Sequence, residues 1–352
     1  MSTLSELIGS SLIFGFRGAS LDDAQTRENV ETLKAAKCKG IILFDHDIAG
    51  NCPRNIENPA QLTQLIEDLR HELGEDLIVS VDQEGGQVAR LKASSGFAPS
   101  ESAAELATWE EQDLRASVLR MAMKMNLYGI DLNLAPCVDL SVEPLSPIIA
   151  EKERSFGRDH DTVVRCASMF IEMHRTANVA CCIKHYPGHG SSLIDTHHGL
   201  SDITKTHQRD EERVFGTLID TFGDSIAVMP GHLVHQGVDE NLPASLSPAH
   251  LKGVLRTTLR FDGPIISDSL DMRAVRLHCG DEGEASLLAL MAGCDLIVDG
   301  FNAPGYREPG GVQRIVNTIG EAIRSGRWGQ GEQALTESRE RVDRLLSREK
   351  TR

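Results

Sequence analysis

The 352-residue chain is 40% hydrophobic, enough for a sizeable core, and carries a formal net charge of -16. An acidic surface of that size repels nucleic acid and anionic membranes, so neither is an expected partner. No stretch is long and apolar enough to span a bilayer, the first residues lack a basic signal region, and the eight cysteines form no CxxC pair, so a cytoplasmic protein with reduced thiols is expected.

In chain order, short apolar runs alternate with stretches of helical period. Strands are expected at LIFGF (12–16), GIILF (40–44) and LIVSVDQ (77–83), with a helix at 60–73 whose leucines at 62, 65, 69 and 73 form one stripe. DLNLAPCVDL (131–140) and ACCIKHY (180–186) follow, separated by a helix at 162–177. Next come a helix at 208–222, the strand SIAVMPGHL (225–233), a helix at 248–259 and the strand PIISDSL (264–270). A helix at 284–292, the strand DLIVDGF (295–301), a helix at 311–325 and a charged C-terminal helix at about 330–350 complete the chain. Eight strands alternating with helices predict an α/β chain folded as a (β/α)8 TIM-type barrel, one domain over 1–352. An open doubly wound sheet fits the alternation too, but no GxGxxG follows the first strand.

Ionisable residues fall at strand ends: Asp82, Asp139, Lys184 with His185, His232 and Asp268. In a barrel those ends converge on the face where active sites form. Asp82 precedes Gly85-Gly86, a pair that lets backbone pass close to a bound group, and Asp82 with Arg90 suits a polyhydroxylated ligand. In KHYPGHGSSLIDTHH (184–198), His185 and His189 have i, i+4 spacing, but Pro187 and Gly188 break any helix that would make them metal ligands. Asp195 and His197 are spaced for a carboxylate that orients an imidazole base. In IISDSLDM, Asp268 suits a nucleophile or electrostatic stabiliser, and Asp271 is the competing carboxylate. Arg154 in ERSFG is a candidate clamp for an anion or hydroxyl.

Together, GIILF, VDQEGGQVARL, DLNLAPCVDL, RSFG, KHYPGHG with DTHHGL, AVMPGHL, PASLSP and FDGPIISDSLDM resemble glycoside hydrolase family 3, in its single-domain β-N-acetylhexosaminidase branch. The resemblance implies a TIM barrel, a small carbohydrate substrate and no metal or other cofactor. It implies that Asp268 is the nucleophile, that His197 is the acid/base, and that Asp195 partners it. It also implies sugar contacts from Asp82, Arg90, Arg154, Lys184 and His185, and His232 is grouped with them. The expected activity is exo-acting removal of β-linked N-acetylglucosamine, with a role in peptidoglycan recycling. Alternatives are a β-glucosidase or related β-glycosidase, a phosphorylase, and a non-catalytic sugar-binding protein. Three departures from the family pattern stand out: Gln87 where arginine is common, a longer charged segment before Arg154, and Ser201 where proline is common. The first two bear on substrate identity.

Overall fold

The computed structural model describes residues 2–48, 50–193, 200–302 and 310–350. Seven strands are parallel neighbours in one sheet: β1 (Leu12–Gly15), β2 (Gly40–Leu43), β3 (Ile78–Val81), β4 (Leu132–Asn133), β5 (Ala180–Tyr186), β6 (Ala227–Pro230) and β7 (Ile297–Asp299). Their spatial order is β6-β5-β4-β3-β2-β1-β7. Each reads as a run of buried residues without polar alternation, as parallel strands covered on both faces do. The strand expected at 264–270 contracts to two parallel bridges, Ile265 with Val228 in β6 and Ile266 with Leu296 beside β7. That short segment therefore contacts both edges of the sheet.

Alternate residues from every strand meet in one apolar cluster that includes Ile13, Ile42, Ile78, Leu132, Cys182, Met229, Ile266 and Val298. Such sharing requires the sheet to curl around a common interior. Val342 and Leu345 join this cluster; they come from the C-terminal helix Gly331–Lys350. The complementary strand residues pack outward against the helices in a second, larger cluster.

Helices occur at Pro59–Leu73, His160–Thr176, Arg209–Phe222, Glu282–Ala292 and Gly311–Arg324, within a few residues of their expected bounds. Their starts follow local chemistry. Asn58, Asp159 and Asp281 each accept an N–H of the first turn. Ala249–Thr258 is a wide π-type helix, closed by Leu259 N–H donating to Val254 O at 2.9 Å. The sequence reading missed helices at Leu4–Ser10, Ala24–Ala35, Glu111–Leu127 and Arg273–Cys279. The second of these buries only Thr26, Val30 and Leu33, and the third buries small residues such as Ser117 and Ala122 among its apolar ones. Stripes that thin leave little periodic signal.

Among the described residues, no helix is long and apolar enough to cross a membrane. All eight cysteines are free thiols.

Candidate active site

A cavity of about 570 Å³ opens at the carboxyl ends of the strands. Asp82, Arg90, Arg154, Lys184, His185 and Asp268 all line it, joined by Glu84, Phe44, Asp45, Met229 and Asp271. Six residues spread over almost two hundred positions of sequence are thus brought to one cavity. A second cavity, about 540 Å³, is lined by Arg256, Asp295, Trp328 and Arg341. Its charges satisfy one another, with Asp295 accepting from Arg256, Arg341 and Ser338, so it is built as a docking seam for the C-terminal helix.

The segment after β3 forms a small antiparallel hairpin, Gln83–Gly85 with Val88–Ala89. Asn133 in β4 fixes its root: its side-chain oxygen accepts Gln83 N–H at 3.0 Å and its amide donates to Gln83 O at 2.9 Å. Gln83 Oε1 in turn accepts the N–H groups of Arg90 and Leu91, which aims Arg90 over the cavity. Gly85 and Gly86 have φ of 105° and 55°. A Cβ at Gly85 would lie 2.0 Å from Glu101 O, and one at Gly86 2.7 Å from Ser102 Cβ. The glycine pair is therefore required by protein packing, which corrects the expectation that it makes room for a bound group.

A buried ion network spans the floor. Lys184 Nζ lies 2.7 Å from Asp82 Oδ1 and 2.8 Å from Glu84 Oε1. Arg154 grips Glu84 with both Nε (2.8 Å) and Nη2 (2.7 Å), the paired geometry guanidinium favours. Arg90 stands 3.7 Å from both Asp45 and Asp82, with its guanidinium 5.6 Å from the centre of the Phe44 ring. Burial alone would raise the Glu84 pKa, but Arg154 and Lys184 hold it far below the carboxylate range. Asp82 is likewise kept low against burial by Lys184 and Arg90. Lys184 and Arg154 are held protonated, their carboxylate partners outweighing burial. The wall is fully ionised at neutral pH and presents fixed donors and acceptors.

Asp139 stands behind this wall, with no solvent exposure of its side chain, and accepts from His185 Nδ1 at 2.7 Å. Cys137, Asp139 and His185 are the one grouping of metal-ligating type among the described residues. Its donors fit a hydrogen-bond cluster better than a cation, because Cys137 Sγ and His185 Nδ1 both approach Asp139 Oδ2. Asp268 lines the same cavity and is half-buried, its Oδ1 accepting Ser269 N–H at 2.7 Å.

His232 differs from expectation. It is fully buried and absent from the cavity lining. Its Nδ1 pairs with Ser245 Oγ at 2.7 Å and its Nε2 donates to Ser269 O at 3.0 Å, so neither ring nitrogen is left for a sugar. It braces the backbone beside Asp268. Asp195 and His197 lie outside the described residues. The root of their loop is anchored, since Ser191 N–H donates to Glu211 Oε1 at 3.0 Å and Gly190 O accepts from Glu143 N–H at 3.1 Å.

Sequence reasoning gave no role to Glu84, Asp45 or Phe44. Glu84 sat in full view beside the glycine pair, an acid one residue past a strand end, and that position was the available signal. The two departures nearest the pocket also meet: Gln87 Nε2 reaches Glu151 O at 3.5 Å, and Gln87 and Lys152 both line the cavity mouth.

Three buried histidines are held neutral by the fold. Burial pushes His174, His189 and His250 down to about 4; His174 accepts from Asn133 Nδ2 and donates to Phe170 O. In the unfolded chain a histidine titrates near 6.5, so between about pH 6.5 and 4 only the unfolded state takes up these protons. The stabilisation is complete above pH 6.5 and is lost as pH falls toward 4, by on the order of 3 kcal/mol per group. The expected result is a clear fall in Tm from pH 7 to pH 5; a flat Tm over that interval would contradict it.

A family model described as the Glycosyl hydrolase family 3 N terminal domain matches residues 7–345. A Beta-hexosaminidase of Idiomarina loihiensis is 30% identical over 333 residues, covering 88% of this chain and 96% of that protein. A Beta-hexosaminidase of Haemophilus influenzae is 35% identical over 298 residues, covering 82% and 79%. Among solved structures, a glycoside hydrolase family 3 β-N-acetylglucosaminidase of a Paenibacillus species superposes with a TM-score of 0.84 at 29% identity. That match covers 99% of this chain, which spans 63% of the Paenibacillus one.

Proposed function

The chain belongs to glycosyl hydrolase family 3 and is a glycosidase, and from that premise we propose that it removes terminal β-linked N-acetylglucosamine with retention of configuration. The observation that carries the reading is the ionised wall of Asp82, Lys184, Glu84 and Arg154 in the same cavity as Asp268. Such a wall suits several hydroxyls of one sugar ring, beside a carboxylate suited to attack its first carbon. The names of the relatives support the sugar: two are called Beta-hexosaminidase and one a β-N-acetylglucosaminidase.

In the proposed reaction a carboxylate oxygen of Asp268 bonds to the anomeric carbon as the bond to the leaving oxygen breaks. His197, oriented by Asp195, gives its proton to that oxygen. Water then attacks the glycosyl-enzyme, His197 takes a water proton, and Asp268 departs as carboxylate. Asp82, Arg90, Arg154, Lys184 and His185 hold the sugar. Every step uses side chains of this chain alone. The reading includes a closed eight-membered barrel in one domain, supported by the bridges of Ile265 and Ile266 to both sheet edges. It also includes cytoplasmic action on peptidoglycan fragments.

A panel of nitrophenyl β-glycosides, assayed with and without inorganic phosphate, tests it. N-acetylglucosaminide should be cleaved at least about tenfold faster than glucoside, a difference of roughly 1.4 kcal/mol in transition-state binding. The first-formed sugar should be the β-anomer by proton NMR, with no sugar phosphate accumulating. Preference for glucoside, or release as the phosphate ester, would overturn it.

A further inference from the structure

We propose that Asp139 is a positioning residue that holds His185 in the tautomer carrying its proton on Nδ1, so that the Nε2 lone pair accepts from Arg154 in the cavity wall. The role extends the functional reading above, because His185 is there a sugar contact.

His185 stands between two neighbours of opposite hydrogen-bond character. Nδ1 is 2.7 Å from Asp139 Oδ2, and Nε2 is 3.3 Å from Arg154 Nη2. A carboxylate only accepts and a guanidinium only donates. A ring protonated on Nε2 would set N–H against N–H on one side and lone pair against carboxylate oxygen on the other. A doubly protonated ring would keep the first of these clashes. Only the Nδ1–H form satisfies both partners.

Neither neighbour is free to adapt. Arg154 is clamped on Glu84 through two nitrogens. Asp139 is wholly enclosed, and besides the ring it accepts His185 N–H at 3.2 Å and His189 N–H at 2.8 Å on Oδ1, with Cys137 Sγ 3.3 Å from Oδ2. Burial favours protonating Asp139, but His185 and the surrounding donors hold its pKa down to about 2. An ionised acceptor is therefore present throughout the working pH range. The same carboxylate that sets the tautomer also pins His189 N–H, and with it the start of the loop leading toward Asp195 and His197. Carboxylates that orient metal-bound histidines change affinity or activity about 10- to 100-fold when removed, and a loss of that order is expected here.

The test is Asp139→Asn. An amide offers one accepting oxygen to the donors converging here; if that oxygen serves His189 N–H, its NH2 group faces Nδ1 and drives the ring proton to Nε2. Protein labelled with 15N in its histidine rings is compared by long-range proton–nitrogen correlation, with the His185 signals assigned by their loss in His185→Gln. Wild type should show the proton on Nδ1 and none on Nε2. Asp139→Asn should show it moved to Nε2, or shared, with kcat/KM lowered about 10- to 100-fold and most of the loss in KM.

A wild-type ring protonated on Nε2, or on both nitrogens at pH 7, overturns the proposal. So does a folded Asp139→Asn with unchanged ring signals and unchanged KM. If that variant does not fold, the wild-type spectrum alone decides. Failure of the wild type to cleave any glycoside would overturn the functional reading and leave the tautomer result standing.

Discussion

Replacing Asp268 by alanine will lower turnover at least about 10⁴-fold, some 5.5 kcal/mol of transition-state stabilisation, while leaving the fold intact. The size follows from the proposed role, since the substitution removes the atom that would form the new covalent bond, and the intact fold follows from the local structure. Asp268 is half-buried at the cavity wall, and the chain around it is held by other groups. Ser267 Oγ accepts Val298 N–H at 2.9 Å, Ser269 Oγ accepts Gly300 N–H at 3.0 Å, and His232 donates to Ser269 O. Azide added to Asp268→Ala should restore turnover by attacking the anomeric carbon from the vacated side, and the product should be the α-glycosyl azide. Asp271 supplies the control. Its carboxylate is 3% exposed and accepts from Asn302 N–H and Ser269 O–H, which is a bracing arrangement. Asp271→Asn should cost about tenfold or less. If Asp268→Ala kept activity within tenfold of wild type while Asp271→Asn lost it, the two carboxylates would exchange roles.

The strand ends were legible because each one breaks an apolar run with an ionisable residue, and a parallel sheet brings its carboxyl ends to one face. That rule singled out Asp82, Lys184, His185 and Asp268, which line one cavity. It failed at His232, where the same pattern yields a buried brace, because sequence position cannot show which way a side chain turns after its strand. It gave Glu84 no role for a different reason. The partners of Glu84 lie 70 and 100 residues away, at Arg154 and Lys184, and their meeting is a property of the folded sheet. Asp139 shows both limits: its place at a strand end was visible, and its role appears only when His185 Nδ1 is found against it. The glycines of QEGG do mark a close approach, but the approaching atoms are the protein's own, Glu101 O and Ser102 Cβ, and not a bound group.

The ion network sets the second large effect. Glu84→Gln should destabilise the protein by about 3–5 kcal/mol, the usual cost of leaving buried charges without their counter-ion. Glu84 and Lys184 side chains are each 3% exposed and Arg154 is 10% exposed, so solvent cannot replace the lost carboxylate. Lys184 would keep Asp82, which also stands near Arg90, while Arg154 would lose both of its hydrogen bonds to Glu84. Tm should fall by roughly 5–10 °C. The linkage to pH gives this prediction its signature. Because the Glu84 pKa lies well below the value it has when unfolded, its contribution is complete above about pH 4.5 and is lost as pH falls below that. The stability gap between wild type and Glu84→Gln should therefore narrow under acid. Pairing the change with Arg154→Met should recover part of the loss, since a buried cation is removed with its anion. Recovered stability should not restore activity, because the wall would then lack donors that the proposed function assigns to the sugar. Equal Tm values for wild type and Glu84→Gln at pH 7 would mean that water reaches these charges, and the wall could not then act as a preorganised set of donors and acceptors.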